Sequence, residues 1–316
     1  MMRKLLLAFG ILTALFLSGV YLFIPDTIYV QQNIIVKASD FNSLKYLSSA
    51  KGWQKWWPEK GSAKSGRNNM AEYCFDSVCY NLIKTTNSGA QILLKTKNIH
   101  SKANLNYIGT STDSMNISLV TDFPAGRFPL ERISNYQKGT LISKNFKVIL
   151  EQIKTFFDHE NRVYGITIKQ ERVKHMILLT MVKISPVYPD VNFVYQMVTD
   201  LRKILESGNV PATASPMLSV HKPYKKDFEI TVAIPTSKEI PSTNNASITK
   251  MVEGKLLVTE VKGGPQTIKN AFNSFQQYVK DNRLISPAMP YEMMITDRKA
   301  IKDTSKWITQ IYYPVL

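Results

Sequence analysis

The chain opens on a basic head, Met1-Met2-Arg3-Lys4, and then runs through residues 5–24 without a charged side chain. A helix of roughly 20 apolar residues is long enough to cross a bilayer. A cleaved signal peptide is the alternative, but Gly19-Val20-Tyr21-Leu22-Phe23-Ile24-Pro25 offers a poor small-x-small cleavage site. Tyr21 and Phe23 suit a membrane interface, and Arg3 and Lys4 favour a cytoplasmic start. Residues 1–25 therefore predict an uncleaved single-pass inner-membrane anchor, with the rest of the chain periplasmic.

Beyond Pro25 the pattern changes to alternation. Residues 27–38 carry Ile28, Val30, Ile34 and Val36 and predict a long strand. Ser39 or Asp40 then caps a helix through Phe41, Leu44 and Leu47. Trp53, Trp56 and Trp57 follow at helical spacing and stop at Pro58. Such a cluster is either a packed aromatic wedge or the wall of a hydrophobic cavity. Residues 72–84 predict a hairpin, and 91–99, 105–110 and 114–122 predict strands. Residues 141–158 form an amphipathic helix with Phe146, Ile149, Leu150, Ile153 and Phe157 on one face.

A second domain starts after a linker at 161–165. Residues 166–184 are strongly β, with both faces apolar. A helix at 190–206 ends near Gly208, and strands follow at 217–221 and 228–235, joined by a turn at 222–226. The order then recurs: β structure at 247–261, a helix at 266–282, a strand at 291–296, a charged turn at 297–306 and a strand at 307–313. Two copies of strand–helix–strand–strand predict a pseudo-twofold module whose ligand groove lies between the copies. The expected domains are thus 1–25, 26–159 and 160–316.

Charge and cysteine content sharpen this picture. Lys and Arg number 40 against 24 Asp and Glu, a net charge of +16. The basic residues are scattered, with no basic helix or dense block, which argues for a solvated surface rather than nucleic-acid binding. Cys74 and Cys79 are the two cysteines. If Asp76-Ser77 is a two-residue turn, they face each other across a hairpin, and an exported chain can oxidise them to a disulfide. No metal site is expected, because no pair of histidines accompanies them. No cofactor motif is present.

The candidate chemistry lies in Pro290-Tyr291-Glu292-Met293-Met294-Ile295-Thr296-Asp297. Strand alternation places Tyr291, Met293 and Ile295 on one face and Glu292, Met294 and Thr296 on the other. A carboxylate in an apolar strand either meets solvent or lies at the bottom of a pocket awaiting a cation.

Two resemblances attach to these segments. The first strand, Trp56-Trp57-Pro58 and the closing helix at 140–157 resemble the START-like SRPBCC superfamily, of the polyketide-cyclase/dehydrase type. That resemblance implies a helix-grip fold with a cavity between sheet and helix. Residues 160–316 resemble the GyrI-like effector-binding module. The matching features are Ile234-Pro235, a Gly254-Lys255 hairpin, Gly263-Gly264-Pro265, Tyr291-Glu292, Thr296-Asp297 and Trp307-Ile308-Thr309-Gln310-Ile311-Tyr312-Tyr313-Pro314. In that family a groove takes lipophilic, often cationic, compounds, and a glutamate meets the charge. The resemblance makes Glu292 that carboxylate and Tyr291, Trp307 and Tyr312 candidate walls, each of which could equally be core. Met294 stands where the family usually carries an aromatic, so one stacking contact is lost.

The expected class is therefore α+β: a helix-grip domain followed by a duplicated β-α-β-β module. The expected function is membrane-anchored binding of a small lipophilic, possibly cationic, molecule, with no DNA-binding element. Two alternatives stand beside it. One is a hydrolase of a reactive small molecule with Glu292 as general base. The other is a structural or partner-binding protein. Oligomeric state is not readable.

Overall fold

The computed structural model describes the chain except at positions 1, 39, 60, 66–70, 98, 112, 113, 224–226 and 244. The expected cap Ser39 and most of the expected 222–226 turn fall outside the described residues, as do the side chains of Arg3, Lys4, Asp40 and Phe41. The chain divides into two compact units, Met1–His159 and Glu160–Leu316. Both are α+β.

The first unit starts with α1 (Met2–Phe23). Its last turn belongs to the protein: Val20 and Ile24 are buried, and the Tyr21 hydroxyl donates to the Arg127 carbonyl at 2.7 Å. Among the described residues no helix is long and apolar enough to cross a membrane. The expectation of a single-pass inner-membrane protein, anchored through residues 5–24 with periplasmic domains, is corrected accordingly.

A seven-stranded antiparallel sheet follows. Its strands are β1 (Thr27–Val36), β2 (Ser62–Ser65), β3 (Ala71–Phe75), β4 (Val78–Thr86), β5 (Gly89–Lys95), β6 (His100–Gly109) and β7 (Met115–Pro124). They are arranged β1-β7-β6-β5-β4-β3-β2. Between β1 and β2 stand α2 (Asp40–Leu47) and α3 (Ala50–Trp56), and α4 (Pro129–Phe157) packs on the sheet. This is the helix-grip arrangement. The helix α4 begins about three turns earlier than its apolar stripe predicts. Pro129 suits a first turn, and Arg132 donates to the Ile24 carbonyl at 2.8 Å and to Asp26 at 2.6 Å. Gly139 permits the close crossing, since a Cβ there would lie 2.7 Å from Ile28. Asp76 and Ser77 both have positive φ, 45° and 65°, as a two-residue hairpin turn requires. The turn sets Cys74 opposite Cys79, and the two form a disulfide with an S–S distance of 2.06 Å.

The second unit contains α5 (Glu160–Tyr164), β8 (Lys169–Arg172), β9 (Ile177–Ser185), α6 (Val191–Ser207), β10 (Met217–His221), β11 (Phe228–Pro235), β12 (Ser247–Lys250), β13 (Lys255–Lys262), α7 (Pro265–Asp281), β14 (Tyr291–Met294) and β15 (Ile308–Val315). Its antiparallel sheet runs β12-β9-β11-β10-β14-β15-β13-β8. The duplication is visible in that order: β9-β11-β10 is mirrored by β14-β15-β13 about a β10–β14 seam. The leading strand of each repeat crosses to the other repeat's edge, β8 to β13 and β12 to β9. Hence β12 and β13 are not the local hairpin expected around Gly254; each pairs with distant strands, which local turn chemistry cannot announce. Both helices lie on one sheet face. There α6 buries Leu201, Val198 and Met197 against Ile230, Val232 and Leu179, and α7 buries Phe275 and Ala271 against Leu257 and Ile311.

Candidate functional site

The seam joins two short strands: Met217 pairs with Met293 and Leu218 with Glu292. All four residues of β14 are buried, so the strand is interior on both faces. Glu292 points to the helix face, since its register partner Ile311 packs under α7. It is only 5% exposed. A carboxylate there needs a counter-charge, and the chain supplies one. Arg298, itself 9% exposed, donates through Nη1 to Oε1 at 3.2 Å and through Nη2 to Oε2 at 2.9 Å. Nη2 also donates to Thr309 Oγ1 at 2.9 Å. The guanidinium carbon sits 5.1 Å from the centroid of the Trp307 ring. The bidentate fork and the indole together hold the cation.

The turn after β14 fixes that arginine. Tyr195 on α6 receives the Arg298 amide on its hydroxyl at 2.7 Å and donates to the Thr296 carbonyl at 3.3 Å. Asp297 accepts from the amides of Lys299 and Ala300. Thr296 Oγ1 accepts from the Ile308 amide. Side chains from α6, β14 and β15 thus position one ion pair.

Beside the pair opens a cleft of about 190 Å³, lined by Tyr188, Leu218, Ser219, Val220, His221, Phe272, Met289, Pro290 and Glu292. Its walls set Leu218, Val220, Phe272, Met289 and Pro290 beside the polar Ser219, His221 and Glu292. The Tyr188 phenol is pushed up first by desolvation and then by the negative charge of Glu292, while Arg298 acts the other way. Chemically, the carboxylate is engaged: both oxygens already accept a guanidinium N–H, so acting as a general base requires Arg298 to leave. The imidazole of His221 lines the same cleft.

The structure separates the five residues grouped from sequence. Glu292, Met294 and Trp307 belong to the helix face. Met294 packs in the core under α6 and borders an open cleft of about 340 Å³ with Tyr195, Arg202 and Asp297. Trp307 is buried, and its indole N–H donates to the Ile301 carbonyl at 2.8 Å. Tyr291 is on the opposite face, stacked on Tyr312 at 5.0 Å with ring planes 6° apart. The Tyr312 hydroxyl donates to Gln310 at 2.9 Å. Arg298 and Thr309 were not singled out in the sequence. The signal for Arg298 was its place just past the turn from an acid that had no neighbour of opposite charge within its own strand.

In the first unit, Trp53 and Trp56 are buried and donate their indole N–H groups to the Leu47 and Tyr46 carbonyls at 2.8 and 2.9 Å. Trp57 stacks on Trp53, with planes 5° apart, and packs on Tyr73 and Tyr80. The space left beside the three tryptophans, under Ile149 and Ile153 of α4, is about 10 Å³, no more than one water occupies. Among the described residues, the indoles fill this part of the grip. Glu72, Cys74 and Cys79 converge within 4.8 Å, but the disulfide leaves no thiolate for a metal.

No protein-family model and no curated protein matches the chain. Solved structures match with low scores. The EcmrR C-terminal domain superposes with a TM-score of 0.42 and 16% identity, covering 48% of this chain and 98% of that one. SAV2435 bound to tetraphenylphosphonium gives 0.34 and 12%, covering 48% and 94%. The Aha1 dimer from Colwellia psychrerythraea gives 0.29 and 12%, covering 41% and 96%. Similarities of this size leave the chemistry to be read from this chain's own side chains.

Proposed function

We propose that the second unit is a binding module for a small, uncharged, largely apolar molecule held in the helix-face cleft. The observation that carries this reading is that Glu292, the charged group lining this partly apolar hollow, is already paired with Arg298. An isolated carboxylate there would call for a cationic ligand. With a bidentate guanidinium already on it, a cation must displace Arg298 from Glu292, Thr309 and the Trp307 ring together. A neutral molecule instead covers Leu218, Val220 and Phe272 and leaves the pair intact. The hollow is smaller than the roughly 300–1,000 Å³ of a drug-sized pocket, so the ligand is correspondingly small.

The test is a fluorescence titration. Trp307 is the tryptophan of the second unit, and Trp307→Phe supplies the background from the other three. A neutral naphthyl probe is expected to quench Trp307 saturably, and tetraphenylphosphonium to do so at least tenfold more weakly. Val220→Phe, which fills the cleft from a half-buried position, is expected to abolish the neutral response. Stronger binding of the cation by the unaltered protein, or no effect of Val220→Phe, would refute the reading.

A further inference from the structure

The seam between β10 and β14 is two residue pairs long, and a cleft opens at each end. The one beside Glu292 shares Ser219, His221 and Met289 with a hollow of about 250 Å³ next to Thr180, Ala233 and Tyr291. The cleft at the other end shares no lining residue with either. It measures about 340 Å³, within the range of small-molecule sites. Here the Met294 amide donates to the Pro216 carbonyl at 2.8 Å, which holds the 211–216 loop alongside the turn that follows β14.

Two opposite charges line this cleft, Arg202 from α6 and Asp297 from the turn. They form no ion pair with each other, and Arg202 has none with any described residue. Asp297 accepts the Lys299 and Ala300 amides on Oδ1, which leaves Oδ2 open. The two charges are nevertheless neighbours of one group. The Tyr195 hydroxyl bonds to the residues on both sides of Asp297, Thr296 and Arg298. Arg202 stands two helical turns after Tyr195 on the same side of α6, and helical side chains lean toward the N-terminus, so its guanidinium leans toward that hydroxyl. Burial pushes the Tyr195 phenol up and the hydrogen bond from the Arg298 amide pulls it down; among the charges, Asp297 raises it while Arg298 and Arg202 lower it. Arg202 and Asp297 thus lie near one phenol, close but unpaired. The remaining walls are short or apolar, Ala214, Pro216 and Met294 among them, with hydroxyls from Thr213 and Ser215.

We propose that this cleft binds a free α-amino acid with an aliphatic side chain: its carboxylate on Arg202, its ammonium on Asp297 Oδ2, and its side chain against Met294, Ala214 and Pro216. A guanidinium matches a carboxylate, and an ammonium supplies the donor that the open carboxylate oxygen lacks. An α-amino acid carries both charges on one carbon, so a single small molecule spans two groups that are near but do not meet. A ligand with one charge satisfies one wall and is repelled by the other. The site does not rest on the neutral-ligand reading of the Glu292 cleft.

The experiment uses the full chain with isotopically labelled methionine methyl groups, the Met294 signal being assigned by its loss in Met294→Leu. Met294 lines this cleft and neither of the other two hollows. The probes are L-leucine, isocaproate, which lacks the amine, and isoamylamine, which lacks the carboxylate, each at neutral pH and low salt. Leucine is expected to shift Met294 saturably and to bind about three- to fivefold more tightly than either, the scale of a solvent-exposed ion pair. Added salt is expected to shrink that advantage, because Arg202 and Asp297 are both exposed. Arg202→Gln is expected to weaken leucine by the same factor without weakening isoamylamine. Asp297→Asn keeps an acceptor for the Lys299 and Ala300 amides and is expected to weaken leucine without weakening isocaproate. Val220→Phe, in the Glu292 cleft, is expected to leave the leucine titration unchanged, which separates this site's failure from that of the neutral-ligand cleft. An unshifted Met294, leucine no tighter than isocaproate or isoamylamine, or unchanged leucine affinity in Arg202→Gln would each overturn the proposal.

Discussion

The tryptophan wedge of the first unit and the seam of the second use the same kinds of side chain to opposite ends. In the wedge, three indoles and two tyrosines pack ring against ring, Trp53 and Trp57 stacked and the others tilted or edge-on, and each indole N–H is directed at a backbone carbonyl. Among the described residues, the space left beside them is about 10 Å³. At the seam the large rings are split between two faces: Trp307 under Arg298 on one, the Tyr291–Tyr312 stack on the other. Between them stand short side chains, Ser219, Val220, Thr180 and Ala233, and hollows open beside these. Density of aromatic residues in a sequence therefore does not mark a pocket. What marks one is a run of short side chains on neighbouring strands, next to a polar group that the core has no other reason to keep.

The largest effect that can break this comparison is expected in the wedge. Trp53→Ala removes the centre of the stack and is expected to cost about 3–5 kcal/mol in a denaturant melt of the first unit's transition. A loss below about 1 kcal/mol would mean that the indoles pack loosely. At the seam, Arg298→Ala strands a buried carboxylate and is expected to cost about 3 kcal/mol, whereas the double change Glu292→Leu with Arg298→Leu is expected to recover most of it. Equal losses in both variants would show that the pair contributes through shape rather than charge.

Smaller effects sharpen the contrast. Cys74→Ser with Cys79→Ser opens a very short loop, and the thermal midpoint is expected to fall by the equivalent of about 2 kcal/mol or less. The smallest effect is at high pH. Burial, and then the Glu160 carboxylate, push the Tyr278 phenol up to about 12. Burial likewise raises Tyr80 in the wedge and Tyr291 at the seam. The folded state then holds these protons where the unfolded chain, at about 10, has begun to lose them. The contribution of these tyrosines to stability is therefore constant below about pH 10 and declines as pH rises from about 10 through 12. Tyrosinate absorbance followed with pH in folded and urea-unfolded protein checks the sign; superimposed curves would contradict it.

Much of the fold was legible. Strict alternation placed β1, β10 and β11, and amphipathic spacing placed α6 and α7, because burial on one face writes its period into the chain. The duplication showed in element order. The swap of β8 and β12 to the far repeat did not, because strand pairing over such distances leaves no local mark. The N-terminal run read as a membrane anchor because its length and apolarity were judged without the final turn, which Val20, Tyr21 and Ile24 commit to packing on the first unit. At the candidate site, Glu292 stood out as an acid in an apolar strand. Its partner did not, because an arginine in a charged turn reads as solvated until the chain folds it back under Trp307. The hydroxyl of Thr180 was equally hidden: a threonine in a β-rich run is ordinary, and only the folded packing shows its Oγ1 to be buried with no hydrogen-bond partner among the described residues.

The account turns on the claim that Arg298 answers the charge of Glu292 and so decides which ligands the helix-face cleft accepts. The most direct measurement is the ratio of affinities for tetraphenylphosphonium and the neutral naphthyl probe, determined calorimetrically for the unaltered chain and for Arg298→Ala after circular dichroism has shown the variant folded. The account predicts a ratio favouring the neutral probe in the unaltered chain and its inversion, by tenfold or more, once the guanidinium is gone. A ratio that stays the same in both would contradict it.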